Sequence, residues 1–288
     1  MFNLKKAAPD EVELYQKIIY PAQDRILRAV GEEFGDAFYL TGGTALSRFY
    51  FGHRLSEDLD LFTESENIRT AIPRIVKLIE SLGYGVEVHS RSVTFGRLFA
   101  VLENGERLKI DLAADNPIEK PQPFKGFYLD TLKNIAVNKI TAFEDRAEIK
   151  DLIDLYYLVK KAGISIEEIL ELADRKRVPV PYENLLAVNS IGLTGSVSLL
   201  VELDEKELED FLGALKRALE ENVKKKVLRA KERLRETVKG LLWDHPLRDR
   251  KISPETASIL MRRAEKLSFP EKVALLESLR NCGQKTCS

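Results

Sequence analysis

The sequence has very little cysteine, which excludes two kinds of structural site. Only Cys282 and Cys287 occur among 288 residues, and both lie within the last seven. A structural zinc site needs four ligands, and a disulfide framework needs cysteines distributed along a small chain. We therefore interpret this pair as incidental reduced thiols, with neither a redox nor a metal-binding role.

Long apolar runs are also absent. No segment approaches the roughly 18 apolar residues of a membrane span. Residues 1–19 mix acidic with apolar side chains, which is not the pattern of a signal peptide. Charged residues make up 32% of the chain and hydrophobic residues 44%. The sequence predicts a cytoplasmic globular protein that does not associate with membranes.

The chain has no strong excess of charge of either sign. Its formal net charge is −1, so the whole molecule does not have the composition of a basic nucleic-acid binder. One local exception lies between Lys216 and Arg235, where nine basic residues stand against three acidic ones. This stretch is either a solvated helix face or a surface for a polyanion.

The pattern of apolar residues changes along the chain. Up to about residue 115, helical periods alternate with short β-like runs, and Asn104-Gly105 between two such runs indicates a hairpin. After the proline-containing loop 115–124, only helical patterns follow. We predict an α/β (α+β) fold with a mixed sheet flanked by helices in residues 1–125. A helical domain follows in residues 126–288, with one helix at about 131–161 and a basic helix at about 205–240.

Two carboxylates stand two residues apart in a predicted strand. Asp58 and Asp60 point to one face, whereas Leu59 and Leu61 enter the core. Mg²⁺ prefers oxygen ligands and commonly takes one or two carboxylates together with substrate phosphates. An exposed acidic strand face would show the same pattern, so this pair alone leaves both interpretations open.

A glycine turn precedes this strand. Gly42-Gly43 follows a predicted strand at residues 38–40 and leads into a short helix at Thr44. Such a turn lets the backbone approach a phosphate, and the helix start directs N–H groups toward it. The alternative is an ordinary tight turn. Together with the two carboxylates, it predicts a binding site for a nucleoside triphosphate.

Asp111 is the candidate for a third carboxylate. In the run 107–113, Leu108, Ile110 and Leu112 share one face, and Asp111 lies on the other with Lys109. If this strand pairs with residues 58–62, three carboxylates can hold two Mg²⁺ or Mn²⁺ ions, with Asp111 as the base or its metal-bound equivalent. The alternative is a solvent-facing aspartate on an edge strand.

These residues resemble the AbiEii/AbiGii-type nucleotidyltransferase toxins, a family of the DNA polymerase β-like superfamily. The first motif comprises Gly42-Gly43-Thr44, thirteen intervening residues, and Asp58-x-Asp60, with Gly52-His53-Arg54 and Ser56 between them. The family's helical Lys, Arg, Asp, Asp motif resembles Val137–Phe143, Arg146 and Lys150–Leu155. The resemblance covers roughly residues 38–160.

The resemblance implies a toxin of a toxin–antitoxin pair, with a cognate antitoxin as partner. Such an enzyme transfers a nucleoside monophosphate from a triphosphate, in some members to the 3′ end of tRNA. It implies that Gly43 and Thr44 contact the triphosphate, that Asp58 and Asp60 bind metal, and that Lys139 binds phosphate. The full set of expected nucleotide-binding residues is Gly42, Gly43, Thr44, His53, Arg54, Ser56, Lys139, Arg146, Asp151 and Asp154.

Several assignments stay open at the level of sequence. His53 either lines the nucleotide pocket or caps a helix end, and either Asp151 or Asp154 is the essential acid of the helical motif. Lys150 stands where an arginine is more usual. The acceptor is RNA, or alternatively a hydroxyl group of a protein or small molecule. A non-catalytic nucleotide binder would have no reason to keep three carboxylates that repel one another.

Overall fold

The computed structural model describes residues 2–176 and 192–244, with side chains of the last helix described up to Arg229 and at Glu232. Two compact units divide the chain, the first ending at Asn222 and the second beginning at Val223. The predicted domain boundary at residues 125–126 lies inside the first unit and stays a prediction. The sequence also predicts a helix start at Ser253-Pro254-Glu255, which lies outside the described residues, as do His245, Cys282 and Cys287.

A seven-stranded mixed sheet forms the centre of the first unit. Its spatial order is β4-β5-β6-β3-β2-β8-β7, with β3 parallel to β6, β2 parallel to β8, and the other pairs antiparallel. The strands are β2 Tyr39–Thr41, β3 Leu59–Thr63, β4 Gly85–Arg91, β5 Phe95–Val101, β6 Arg107–Ala114, β7 Gln122–Phe124 and β8 Phe127–Leu129. A separate two-stranded parallel sheet joins β1 Leu4–Lys6 to β9 Val197–Leu199.

Helices cover the apolar face of the central sheet. α1 Pro9–Leu14 continues through the π-helical segment Tyr15–Ile19 into α2 Tyr20–Phe34, which packs against α4 Ile68–Ser81. Pro21 does not break this run. It lies in the first turn of α2, and the preceding π-helical segment widens the turn that the proline ring would otherwise crowd.

The helix predicted from about 131 to 161 is in fact two helices, α5 Leu132–Arg146 and α6 Ile149–Ala162. Ala147 between them adopts a left-handed conformation with φ of 49°, although residues 144–150 contain neither glycine nor proline. Thr194 donates its N–H to the Ala147 carbonyl and accepts the N–H of Ile149, each at 3.0 Å. A distant segment thus satisfies the backbone groups at the break, which local periodicity cannot reveal.

Two further helices agree with their sequence signals. The sequence Ser165-x-x-Glu168 is typical of a capping box and predicts a helix start there. α7 Ile166–Arg175 begins at Ser165, whose hydroxyl accepts the N–H of Glu168 at 3.1 Å. α8 Glu205–Asp244 covers the basic stretch. Among the helices in the described ranges, none is long and apolar enough to cross a membrane.

The predicted α/β (α+β) class, a mixed sheet flanked by helices with a helical region after it, is confirmed. The expectation that only helices follow residue 124 is wrong in detail, because β8 joins the central sheet beside β2 and β9 pairs with β1. These strands are three residues long, too short to leave an alternating pattern. A short helical run follows β2. It consists of α3 Gly42–Thr44 and the π-helical segment Ala45–Phe51.

Candidate active site

Three carboxylates lie side by side on the face of the sheet opposite α4. In the parallel pairing of β3 with β6, Asp60 stands directly beside Asp111, and Asp58 immediately precedes β3. Leu59 and Ile110 point the other way and are fully buried. β6 lies between β5 and β3, so the alternative placement of Asp111 on an edge strand is wrong. The structure brings together the three residues that the sequence pattern selects.

Electrostatic repulsion is built into this carboxylate strip. Burial and the charge of Asp58 raise the pKa of Asp60 above its ordinary value. Like charges directly opposite each other on neighbouring strands are unfavourable. A divalent cation at this position would therefore relieve a repulsion that the folded chain otherwise carries.

Two cations that the sequence analysis missed neutralise the outer carboxylates. The Lys109 ammonium lies 2.5 Å from Oδ2 of Asp58. Arg97 holds Asp111 with two bonds, Nε to Oδ1 at 2.7 Å and Nη2 to Oδ2 at 2.8 Å. Lys109 could have been found because it shares a strand face with Asp111, but Arg97 lies on β5 and only the strand pairing places it here.

The glycine turn fits closely against the carboxylate strip. Gly42 has a φ of 70°, and a Cβ atom there would lie 2.1 Å from Oδ2 of Asp60. A Cβ atom on Gly43 would lie 2.3 Å from Nη2 of Arg54. Only glycine at both positions leaves room for the carboxylate and the guanidinium, so the backbone of the turn borders both groups.

Thr44 connects the turn to the start of β3. Its hydroxyl donates to the carbonyl oxygen of Asp58 and lies 2.9 Å from Oγ of Ser56. Thr44 is 1% exposed, whereas Ser56 lines the cleft. The structure therefore gives Thr44 a part in holding Asp58 in place, and the contact between Thr44 and the triphosphate stays a prediction.

A buried ionic network lies beside the turn and is centred on Asp154 of α6. Arg54 donates to both oxygens of Asp154 at 2.8 Å, and the Lys139 ammonium lies 2.6 Å from its Oδ2. Burial alone would raise the pKa of Asp154, but the charges of Arg54 and Lys139 hold it well below the usual range. Asp154 thus fixes two cations at the edge of the carboxylate strip.

Asp151 extends the same network to the end of α5. It accepts from Lys139 at 2.9 Å and from Nε of Arg146 at 2.7 Å. Glu148 lies 3.6 Å from Arg146 and 2.8 Å from Lys150, so the connected network contains four cations against three carboxylates. This excess of one positive charge favours a phosphate at the adjoining cleft. The break between α5 and α6 makes the arrangement geometrically possible, because Arg146 turns back toward Asp151.

His53 takes neither of the two positions that the sequence left open, lining the nucleotide pocket or capping a helix end. Its side chain is completely buried, Nε2 lies 2.8 Å from Oδ1 of Asp154, and the ring packs on Tyr157 with centroids 4.4 Å apart. Burial lowers the pKa of His53, which makes the neutral ring the stable form. Direct nucleotide contact is corrected to a supporting contact through Asp154, and helix capping is not observed either.

An open cleft of about 510 Å³ joins the turn, the carboxylates and the network. Of the expected residues, Thr44, His53, Asp151 and Asp154 do not line this cleft in the part of the chain that the structure describes. The expected residues that do line it are Gly42, Gly43, Arg54, Ser56, Asp58, Asp60, Asp111, Lys139 and Arg146, together with Lys150. The supporting acids therefore lie beneath the residues that can touch a substrate.

Asn138 is a further cleft residue that the sequence analysis did not select. Its Oδ1 accepts from Lys176 at 2.7 Å, but its buried Nδ2 has no hydrogen-bond partner among the described residues. Buried amide donors are normally satisfied. A substrate oxygen in the cleft would accept a hydrogen bond from this Nδ2 group. The one sequence feature that could have indicated Asn138 is its position directly before Lys139.

No three His, Cys, Asp or Glu side chains in the described ranges already converge as a metal site. The chemistry of the donor set nevertheless fits a hard divalent cation, since three carboxylates share one strand face and repel one another. The carboxylates of Asp58 and Asp111 point toward Lys109 and Arg97 respectively, because they form ion pairs with these cations.

Comparison with known proteins gives one family match. Residues 25–226 match the model of the nucleotidyl transferase AbiEii toxin of type IV toxin–antitoxin systems. An uncharacterized protein of Aquifex aeolicus (strain VF5) is 33% identical over 144 residues, which are 48% of this chain and 66% of that relative. The match therefore spans just under two thirds of the relative's length.

Two solved structures are similar to the chain. JHP933 from Helicobacter pylori gives a TM-score of 0.48 at 19% identity and covers 78% of this chain and 98% of that chain. MenT4, a nucleotidyltransferase toxin from Mycobacterium tuberculosis H37Rv, gives 0.43 at 18% identity, covering 69% and 92%. Structural similarity at these TM-scores and sequence identities identifies neither a substrate nor a partner of this chain.

Proposed function

The chain belongs to the AbiEii nucleotidyltransferase toxin family, and we propose that it transfers a nucleoside monophosphate from a triphosphate to an RNA hydroxyl, with the 3′ end of tRNA as the expected acceptor. A cognate antitoxin and a cytoplasmic location belong to the same proposal. The observation that carries it is the pairing of Asp60 with Asp111 across β3 and β6, next to the turn at Gly42-Gly43.

In this proposal Asp58, Asp60 and Asp111 hold two Mg²⁺ or Mn²⁺ ions. When bound, these ions would make the acceptor hydroxyl more acidic and neutralise charge on the departing pyrophosphate. The backbone of Gly42-Gly43 and the side chains of Arg54 and Lys139 bind the phosphates, because all four residues line the cleft and the two side chains are cationic.

The reaction forms one bond and breaks one. The acceptor oxygen attacks the α-phosphorus, and the bond from that phosphorus to the oxygen bridging to the β-phosphate breaks. Pyrophosphate leaves with the bonding electrons. Asp111 accepts the hydroxyl proton after its carboxylate separates from Arg97. Positioning supplies much of the rate in such transfers, which explains the rigid network under Arg54 and Lys139.

Incubation with each of the four ribonucleoside triphosphates, labelled at the α-phosphate, together with Mg²⁺ and total bacterial RNA tests the acceptor. We expect label that precipitates with RNA, is released by ribonuclease and is concentrated in the tRNA fraction. Label that survives ribonuclease and migrates with protein, or that stays in small molecules, would replace RNA by the corresponding acceptor.

Substitution of Gly42 tests the fit between turn and carboxylate. In Gly42→Ala the new Cβ atom would displace the Asp60 carboxylate, and we expect about a hundredfold loss of transfer, as a misplacement of about 1 Å can cause. Gly52→Ala is the matched control, because Gly52 has a φ of 65° with no atom near its Cβ position. Equal transfer rates for both variants would show that the close approach has no role.

Replacing Lys139 tests the phosphate-binding role of the network. Lys139→Ala should weaken triphosphate binding roughly tenfold or more, since it removes a charged hydrogen-bond donor from the cleft. Lys133→Ala on the same helix removes a half-exposed lysine that pairs with Glu119 and Glu168. Calorimetric titration on both folded variants should show unchanged affinity for the Lys133 variant, and unchanged affinity for the Lys139 variant would remove Lys139 from the site.

The basic stretch of α8 is expected to bind RNA. Simultaneous Lys224→Ala, Lys225→Ala and Lys226→Ala should weaken RNA binding and reduce its dependence on salt, by about one unit of log–log slope for each RNA phosphate that the protein no longer neutralises. Triphosphate affinity should stay at the wild-type value. Filter binding between 50 and about 200 mM salt measures the slope, and an unchanged slope would identify the stretch as a solvated helix face.

A further inference from the structure

Two cations occupy positions beside the carboxylates where a metal ion would bind. Lys109 and Arg97 each form a direct ion pair with one of the outer carboxylates, Asp58 and Asp111 respectively. Across the sheet, opposite charges meet at two contacts between neighbouring strands and like charges meet at a third. Lys109 on β6 pairs with Asp58 at the start of β3, Asp60 lies beside Asp111, and Arg97 is the strand partner of Asp111 on the far side.

These pairs use the carboxylate oxygens that a metal would need. Arg97 engages both oxygens of Asp111, one at 2.7 Å and the other at 2.8 Å. Lys109 lies on Oδ2 of Asp58, and both partners of this pair are about three-quarters buried. Lysine and arginine side chains carry their positive charge at neutral pH, so each ion pair persists until another group replaces one of its partners.

A bare divalent ion must therefore displace two permanent charges to reach all three carboxylates. A metal ion that arrives with a triphosphate does not meet the same barrier. Its phosphate oxygens can accept Lys109 and Arg97 as these separate from the carboxylates, and both cations line the same cleft as Gly43 and Lys139. Lys109 and Arg97 then pair with phosphates, and the carboxylates pair with the metal. No charge in the cleft is left unpaired, and an unpaired buried charge would be strongly unfavourable.

We propose that Lys109 and Arg97 are positioning residues that keep the metal site closed to free divalent ions and open it when the metal arrives with a nucleoside triphosphate, whose phosphates they then bind. The inference rests on the proposed nucleotidyltransferase function. It predicts that metal and triphosphate bind cooperatively, and that each raises the affinity of the other by the same factor.

Binding of Mn²⁺ alone, without nucleotide, tests the proposal independently of catalysis. Lys109→Met keeps the apolar stem and removes the charge, and we expect it to bind Mn²⁺ about tenfold or more tightly than the wild type, because one neighbouring charge shifts the cation affinity of a carboxylate by at least that factor. Arg107→Met is the matched control. It removes a cation from the same strand that pairs with Glu87 instead.

Arg97→Met provides a second variant should the first fold poorly, and circular dichroism confirms the fold of each. In wild type, a non-hydrolysable triphosphate should raise Mn²⁺ affinity by a factor that falls in both site variants but not in Arg107→Met. Unchanged Mn²⁺ affinity in both folded site variants, or an equal gain in Arg107→Met, would overturn the proposal.

The outcomes separate this inference from the proposed function. Wild-type transfer to RNA with no gain in Mn²⁺ affinity in the variants would overturn only the role of Lys109 and Arg97. Absence of Mn²⁺ binding in every variant, with or without triphosphate, would overturn the metal-dependent function as well.

Discussion

Asp58→Asn and Asp60→Asn should each reduce nucleotide transfer by about a thousandfold or more, because each removes a charge that holds the metal and stabilises the developing charge on the phosphate. The amide has nearly the same shape as the carboxylate, so the strand pairing of β3 with β2 and β6 should persist. Initial rates of label transfer from an α-labelled triphosphate measure the loss.

The two variants should differ in stability although both lose activity. In metal-free buffer, Asp60→Asn removes the like-charge pair with Asp111 and should unfold at a higher urea concentration than wild type. Asp58→Asn loses its ion pair with Lys109 and should be equal or slightly less stable. Asp36→Asn, an exposed aspartate in the turn before β2, is the control and should change neither property. Full activity in either site variant would remove that residue from the metal assignment.

Expression of the wild-type chain in a bacterium without the cognate antitoxin should arrest growth, and Asp111→Asn should relieve the arrest. The wild type would add nucleotides to an RNA needed for translation. The variant would lose one of three metal ligands and the proton acceptor while retaining strand β6 between β5 and β3. Growth curves after induction, with equal protein levels verified by immunoblot, measure the difference.

The two halves of this expectation can fail separately. Normal growth with well-folded wild-type protein would contradict the toxin assignment and leave the chemistry intact. Arrest that persists in Asp111→Asn would contradict the catalytic explanation of toxicity. Arg107→Met, on the same strand and outside the cleft, should remain as toxic as wild type.

The sequence was informative where a single strand or turn carries the signal. The alternation around Asp58 and Asp60 and around Asp111 gave the strand faces, and the register then placed Asp60 beside Asp111. The sequence predicts that the backbone at Gly42-Gly43 approaches a phosphate, which stays a prediction, while the structure shows the turn close to the side chains of Asp60 and Arg54. Each of these inferences depends on side-chain alternation or on backbone freedom, both of which are local properties.

The sequence was uninformative where distant segments meet. Arg97 reaches Asp111 only through the β5–β6 pairing, and no spacing rule relates the two residues. The break at Ala147 depends on backbone bonds to Thr194, so periodicity alone predicted one helix. As a result, Lys139, Arg146 and Asp154 do not lie along one face of a single helix, because the first two belong to α5 and the third to α6. They meet because α6 turns back against α5, and this places Asp151 and Asp154 under the cations.

The charges of the site have opposing effects on the stability of the folded chain. The repulsion between Asp60 and Asp111 opposes folding, whereas the ion pairs of Lys109, Arg97 and the buried network offset that repulsion. Residues that repel one another on a packed sheet contribute little to stability, so their position beside the glycine turn indicates a functional use. The same reasoning ties the cations and the acids to one site.

Transfer of label from a triphosphate to RNA in the presence of Mg²⁺ tests the central claim most directly, when the same nucleotide is labelled in parallel at the α- or the γ-phosphate. The account predicts that only the α-label enters RNA, that the γ-label is recovered in pyrophosphate, and that chelation of the metal or Asp60→Asn stops both. Incorporation of the γ-label, or of neither label by the folded wild type with RNA and Mg²⁺ present, would contradict it.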